Sequence, residues 1–365
     1  MKNEPISERQ ATILVILFVL GNTLLVGTGT QAKQDVLIAI IIAMLWSTIL
    51  LLMFSKILSL YPEKDLFDIL EIIMGKFIGK TISILMIWFA FHTGTSILRI
   101  LSEFTKVIVL NQTPVVLPMI FFIMLLIWSL KAGIEVLGRW AELFSLIIIS
   151  IIIIVPILSI SQMDINRLKP ILNNGIEPLL KGAFSSFSFP FGQIIIFTMV
   201  FSNIAKAKNY KKIFMIGLLI SGGLILLTTS RNILVLGSES MSRVYFPSTT
   251  AVSLISISLL QRLEVEVIIV FLVGVFIKIS ICIYAVCNGL SKVFGFNDYK
   301  FIATPVALLM LNFSFFIYES TMDMSFFIIN IWPYYSFVFQ VIIPLIIFIV
   351  AEIKNKNSSN KNISK

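Results

Sequence analysis

Apolar residues run through this chain in blocks of about twenty, parted by short polar stretches. A block of that length, coiled as a helix rising about 1.5 Å per residue, crosses about 30 Å of hydrocarbon. Ten such blocks stand at roughly 10–30, 36–55, 81–102, 115–130, 141–161, 183–204, 213–236, 265–288, 301–318 and 331–352. The pattern predicts an all-α integral membrane protein, a single transmembrane domain over residues 1–365, with 353–365 a flexible polar tail. Mean hydropathy of +1.00 with 13% charged residues puts the chain outside soluble classes.

Two blocks are interrupted inside. The sixth carries Gly182-Ala-Phe-Ser-Ser-Phe-Ser-Phe-Pro190-Phe-Gly192-Gln193, and the first carries Gly21-Asn22-Thr23 about half-way along, with Gly27-Thr28-Gly29 beyond. Proline removes a backbone donor and clashes with the preceding turn, and glycine loosens the chain. Opened backbone at membrane depth is tolerated where protein covers it or where it lines a cavity. Small residues in the first block also suit close helix packing alone. Blocks one and six each open a set of five, and five is odd. The halves, about 10–161 and 183–352, therefore insert with opposite topology, as in inverted repeats.

A broken helix exposes N–H groups with positive dipole on one side and free carbonyls on the other. Two breaks meeting at mid-membrane would hold a small zwitterion without a charged side chain. The candidate ligand-binding backbone is Gly21, Asn22, Thr23 and Leu24 with Phe187, Ser188, Phe189, Pro190, Phe191 and Gly192. Phe187, Phe189 and Phe191 are candidate pocket walls, with lipid-facing or packing roles as the alternative.

Charge sets the orientation. Of 28 Lys and Arg, 18 fall in the terminal and even-numbered connecting segments and eight in the odd-numbered ones or, for Arg99, at the adjoining end of block three, which predicts both termini in the cytoplasm. Lysines such as Lys206, Lys208, Lys211 and Lys212 account for the net charge of +9 through topology and anionic membrane lipid, with no nucleic-acid partner. The first block lacks a small-residue cleavage site and is expected to be retained. Between blocks two and three, Pro62 to Lys80 reads as an amphipathic helix at the inner surface. Between blocks seven and eight, Phe246-Pro-Ser-Thr-Thr-Ala-Val leads into an apolar stretch, Leu254 to Leu260, suited to a lid or to packing on the helix ends. Cys282 and Cys287 sit on different faces of one helix and cannot pair with each other.

The charges within blocks are few. Lys278 lies near the centre of block eight, where lysine costs about 2.5–3.5 kcal/mol on insertion scales. It is a candidate coupling residue, substituting for a bound sodium ion or exchanging a proton, unless it ties to backbone carbonyls. His92, Ser96, Arg99, Glu103 and Lys106 approach one helical stripe. Arg99 and Glu103 form a possible outer gate or a solvated ion pair; His92 is a structural histidine or a switch. Arg262 and Glu266 make another i,i+4 pair. With one histidine and no clustered cysteines, no metal site or cofactor is expected. No phosphate-binding loop or nucleophile–base set supports an enzyme.

Several segments resemble a known family. They are Ala32-Lys33-Gln34-Asp35, Tyr61-Pro62-Glu63-Lys64 with Gly75-Lys-Phe-Ile-Gly-Lys80, Gly133-Ile-Glu-Val-Leu-Gly-Arg139, Phe189-Pro-Phe-Gly192, Arg262-Leu-Glu264 and Phe276-Ile-Lys-Ile-Ser280. In order and spacing the chain is similar to the B subunits of the nutrient germinant receptors of endospore formers, in the amino acid–polyamine–organocation transporter superfamily. The resemblance implies a five-plus-five inverted-repeat transporter fold and a pocket between spans one, three, six and eight. It implies sensing of a small nutrient, such as an amino acid, in the inner spore membrane, with A and C subunits as partners in germination. A proton-coupled amino-acid transporter is the alternative. Many members carry glutamate after Phe-Pro-Phe-Gly; Gln193 here removes a protonatable group.

Overall fold

A computed structural model describes residues 6–110, 112–201, 209–254 and 263–363, with side chains in the last stretch described from Val265 to Lys356. Among the described residues the elements are all helical. Eight helices are long and apolar enough to cross a membrane: Glu8–Val26, Thr30–Leu60, Lys76–Val109, Ile134–Leu158, Ile176–Met199, Tyr210–Leu236, Val265–Phe294 and Thr321–Lys356. Val116–Ala132 and Lys300–Phe316 are shorter apolar helices at the expected fourth and ninth positions. Numbered in chain order, these are spans one to ten.

Spans one, three, six and eight form the centre. In their most apolar stretches 72%, 72%, 89% and 72% of residues are buried, against 39%, 33% and 33% for spans two, five and ten, which therefore form the rim. Lipid tails are as apolar as leucine, so central spans are held by shape rather than by hydrophobic transfer. Glycine supplies that shape: a Cβ on Gly274 of span eight would stand 3.0 Å from the Gly21 Cα.

Both expected breaks are present. Span one is helical over Glu8–Leu20, turns at Gly21 (φ 4°, ψ −111°) and resumes for Thr23–Val26. Span six is helical over Ile176–Ser188, becomes extended at Phe189 (φ −141°, ψ 113°) and continues as a 3-10 helix over Phe191–Met199.

The connectors gather at two faces. On the distal face Gln34 Nε2 donates to the Pro170 carbonyl at 3.1 Å, Leu172 N–H to Asp35 Oδ1 at 3.0 Å and Asp164 N–H to the Leu234 carbonyl at 3.0 Å. The opposite, terminal face carries the Arg9–Glu142 ion pair at 2.9 Å and Lys354 Nζ donating to the Ile72 carbonyl at 2.6 Å. The last helix is described to Ile363, well into the polar segment.

The expected amphipathic connector is Leu66–Met74, started by the Asp65 carboxylate accepting from Phe67 and Asp68 N–H groups and ended at Gly75. Its apolar face meets protein rather than lipid: Leu66, Ile69 and Leu70 are wholly buried. Asp65 explains the docking. It accepts from Asn288 Nδ2 at 2.8 Å and pairs with Lys292 at 2.6 Å, both on span eight, and Asn288 also donates to the Met199 carbonyl at 2.9 Å. Opposite, Pro247 opens a helix over Pro247–Ser253 whose Ser248 donates to the Leu24 carbonyl. The stretch expected to follow, Leu254 to Leu260, lies outside the described residues beyond its first position, as do Lys206, Lys208 and Arg262.

Candidate functional site

Lys278 joins the two breaks. It is wholly buried, its Nζ donates to Asn22 Oδ1 at 3.0 Å, and it stands 5.0 Å from the ring centroids of Phe18 and Phe189. Its partner is thus a side-chain amide flanked by two aromatic faces, rather than backbone carbonyls. No carboxylate pairs with it among the described residues. The geometry follows from Gly21, where a Cβ would stand 2.8 Å from Lys278 Cδ; glycine lets the lysine stem pass the break.

The breaks are also tied directly. Thr28 Oγ1, just past the second half of span one, donates to the Phe189 carbonyl at 2.7 Å and lies 3.1 Å from Ser186 Oγ. Thr23 Oγ1 donates back to the Val19 carbonyl at 2.8 Å, so one orphan carbonyl of the first half-helix is satisfied internally.

Two chambers lie on the distal side of Lys278. The inner, of about 20 Å³, is lined by Asn22, Val26, Thr93, Ser96, Ile97, Ile100, Phe189, Gln193, Tyr318, Ile328 and Trp332. The outer, of about 120 Å³, is bounded by Val26 to Gln31, Ser185, Met241 to Phe246 and Met324, Ser325, Ile328 and Ile329. Val26, Ile100, Phe189 and Ile328 belong to both walls and form the partition. The inner chamber is chemically unfinished: Gln193 Oε1 and Trp332 Nε1 are buried without a hydrogen-bond partner among the described residues. An acceptor, a donor, the hydroxyls of Thr93 and Ser96 and the Asn22 amide face a space walled by isoleucine and aromatic rings. The lining has the mixed character of a site for a small solute with polar and apolar ends, but at about 20 Å³ the closed chamber has room for about one water, so a solute requires it to widen.

The candidate residues from the sequence divide. Gly21, Asn22, Phe189 and Lys278 come together. Leu24 turns its carbonyl to Ser248 and lines a separate cavity. Phe187 packs on Trp46 at 6.2 Å and on Phe184 at 6.4 Å, and Phe191 is wholly buried beside neither chamber. The Ser188 carbonyl accepts from Gln340 Nε2 of span ten at 2.9 Å, and Pro190 caps the 3-10 helix. Gly192 abuts the Gln340 side chain, which would collide with any Cβ there.

Arg99 and Glu103 pair at 3.0 Å with side chains only 11% and 10% exposed, so the pair is held inside rather than solvated. Thr321 Oγ1 covers it, donating to Glu103 Oε2 at 2.7 Å. Lys106 leaves the stripe and is exposed, because the helix widens to a π-helix over Thr105–Val109. His92 is enclosed by Trp88, Phe327, Trp332 and Tyr335 at ring distances of 5.1–5.8 Å, and its Nδ1 has no partner among the described residues. Cys282 and Cys287 are buried and unpaired.

Sequence reading missed Thr93, Gln193, Tyr318 and Trp332 as chamber residues. Ser96, at i+3 from Thr93 on the polar stripe, was the available signal for span three; Gln193 directly follows the Phe189–Gly192 break, and Tyr318 and Trp332 come from elements remote in the chain.

Comparison with known proteins bears on the family and the fold. A family model described as "Spore germination protein" matches residues 5–324. The chain belongs to that family. It is 30% identical over 361 residues to spore germination protein KB of Bacillus subtilis strain 168, covering 98% of this chain and 97% of that one. Spore germination protein YndE of the same organism is 25% identical over 79% of this chain and 81% of its own. Among solved structures, Mhp1, a nucleobase-cation-symport-1 family transporter in a closed conformation with bromovinylhydantoin bound, superposes with a TM-score of 0.66 at 13% identity, covering 89% of this chain and 75% of that one. The chain is thus a multi-pass membrane protein with the five-plus-five inverted-repeat transporter fold, broken in spans one and six.

Proposed function

We propose that this chain is the nutrient-sensing B-type subunit of a spore germinant receptor. A small germinant, an amino acid being the chemistry that fits, occupies the chambers, whose walls come from spans one, three and six and, where the resemblance implied span eight, from span ten. Binding favours one of two pre-existing arrangements, which partner A and C subunits read as the germination signal. The observation that carries this reading is Lys278 held between Asn22, Phe18 and Phe189 where the two broken helices meet. The carboxylate would take the N–H groups opening the second half of span one and the charge of Lys278, with Gln193 Oε1 free to accept from the ammonium. The proposed site is the inner spore membrane, with both termini cytoplasmic; the lysine and arginine distribution supports that orientation.

Spores lacking only this chain, screened against single nutrients, should lose the response to one small nutrient and keep the others. Restoring the chain with Asn22→Ala should shift the dose–response by tenfold or more. An unaltered response in both would overturn the reading. The fold shared with a symporter favours a second possibility, proton-coupled amino-acid uptake. Accumulation of labelled amino acid in proteoliposomes holding this chain alone would establish it and remove the pure sensor.

A further inference from the structure

A third cavity, of about 30 Å³, lies apart from the two chambers, between spans one, five, seven and eight. Most of its wall is aliphatic or aromatic: Leu24, Ile152, Val155, Val270 and Phe271 among others. Its polar floor is Thr228, Arg231 and Ser248. Arg231 is 3% exposed. Its Nε and Nη2 both donate to Asn232 Oδ1, at 3.1 and 2.6 Å, and Nη2 reaches the Ser248 carbonyl at 3.5 Å. All of these acceptors are neutral, and no carboxylate pairs with Arg231 among the described residues. A guanidinium offers five N–H donors and cannot discharge itself by losing a proton. Here Nη1 has no partner among the described residues, on a side chain that lines an open space.

We infer that this cavity binds an anionic amphiphile: a carboxylate bearing a single apolar chain. Arg231 and Thr228 would take the carboxylate oxygens, the ligand supplying the counter-charge that no described residue provides. The chain would leave past Ile151 and Val267, which are half-buried, toward exposed Ile154 and Ile269 on the rim. Depth selects the head group. Arg231 lies five residues inside the distal end of span seven at Leu236, about 7.5 Å along the axis. A diacyl phospholipid would have to draw its glycerol below the head-group level to reach it; a fatty acid would not. The cavity also communicates with the break in span one, because Asn232 Nδ2 donates to Ser248 Oγ at 3.0 Å and Ser248 to the Leu24 carbonyl, two residues from Asn22. An occupant would therefore steady the second half of span one from the side opposite the chambers.

The test uses the full chain in phosphatidylcholine nanodiscs and labelled palmitate. One saturable site is expected, weakened at least tenfold by Arg231→Gln and by Val267→Phe, which fills the mouth without touching the guanidinium. Hexadecanol, isosteric but neutral, should not compete. Equal competition by hexadecanol, or undiminished binding by a folded Arg231→Gln variant, overturns the site. Displacement of palmitate by substoichiometric phosphatidylglycerol overturns the carboxylate in favour of a lipid phosphate. If neither variant folds, a diazirine fatty acid on the wild-type chain decides: cross-links at Ile151 or Val267 support the site, and cross-links confined elsewhere refute it.

Discussion

At the scale of the residue, Lys278 concentrates the chemistry of the centre. Replacing it with methionine removes a burden of about 2.5–3.5 kcal/mol on insertion but also the hydrogen bond that spans the breaks. A charged hydrogen bond contributes about 1.5–3 kcal/mol, or tenfold and more in an equilibrium. Lys278→Met should therefore reach the membrane at wild-type level or above, with the half-maximal nutrient concentration raised at least tenfold in germination assays. Gly192 makes a different prediction. Because Gln340 fills the space its side chain would need, Gly192→Val should cost about 1–3 kcal/mol through overpacking, read as a lowered Tm of purified protein. The sequence marked Lys278, Asn22 and Gly192 because a buried charge, a polar residue beside glycine and a Pro–Gly pair are anomalies in a membrane block. It could not separate Phe187, Phe189 and Phe191. Their two-residue spacing straddles the point where helix gives way to extended chain, so no single period sorts their faces.

At the scale of the element, ten crossings were legible because hydrocarbon thickness fixes the length of an apolar run. The breaks were legible because proline and glycine sit where a helix should continue. The docking of Leu66–Met74 was not, since an amphipathic pattern is the same whether its apolar face meets lipid or protein. Its anchor can be tested by pH. Asp65 lies outside the spans, and burial holds its carboxyl above the ordinary value of 3.8, against the opposing pull of Lys292. A carboxyl with a raised folded pKa binds its proton more tightly when folded. Its contribution is full below the unfolded value and is lost as pH rises through the folded one. The stability of wild type relative to Asp65→Asn, which keeps a cap, should thus decline as pH rises from about 4, measured by thermal unfolding across a pH series. A relative gain would mean that the Lys292 pair outweighs burial.

At the scale of the whole molecule, the terminal face is drawn together through Asp65, Lys292 and Asn288, and Lys354 adds the last span to it. Deleting residues 357–365 spares that contact and should leave Tm within about 2 °C of wild type, because the removed stretch is polar throughout except for Ile363. A larger loss in a thermal scan would give the tail a structural part. The chambers themselves were beyond sequence reading, since their walls come from spans one, three, six and ten and from the segments between seven and eight and between nine and ten. Only the folded chain sets Thr93 opposite Tyr318. One ring in that assembly carries two duties. Phe189 borders both chambers, and its ring also stands 5.0 Å from the Lys278 ammonium. If the proposed germinant passes inward by that route it has to swing the ring aside, and the swing would strip the buried cation of one of its two aromatic supports. On that proposal, admission of the solute and release of the lysine are a single mechanical event, and no separate sensor is needed to register that the inner chamber has been filled.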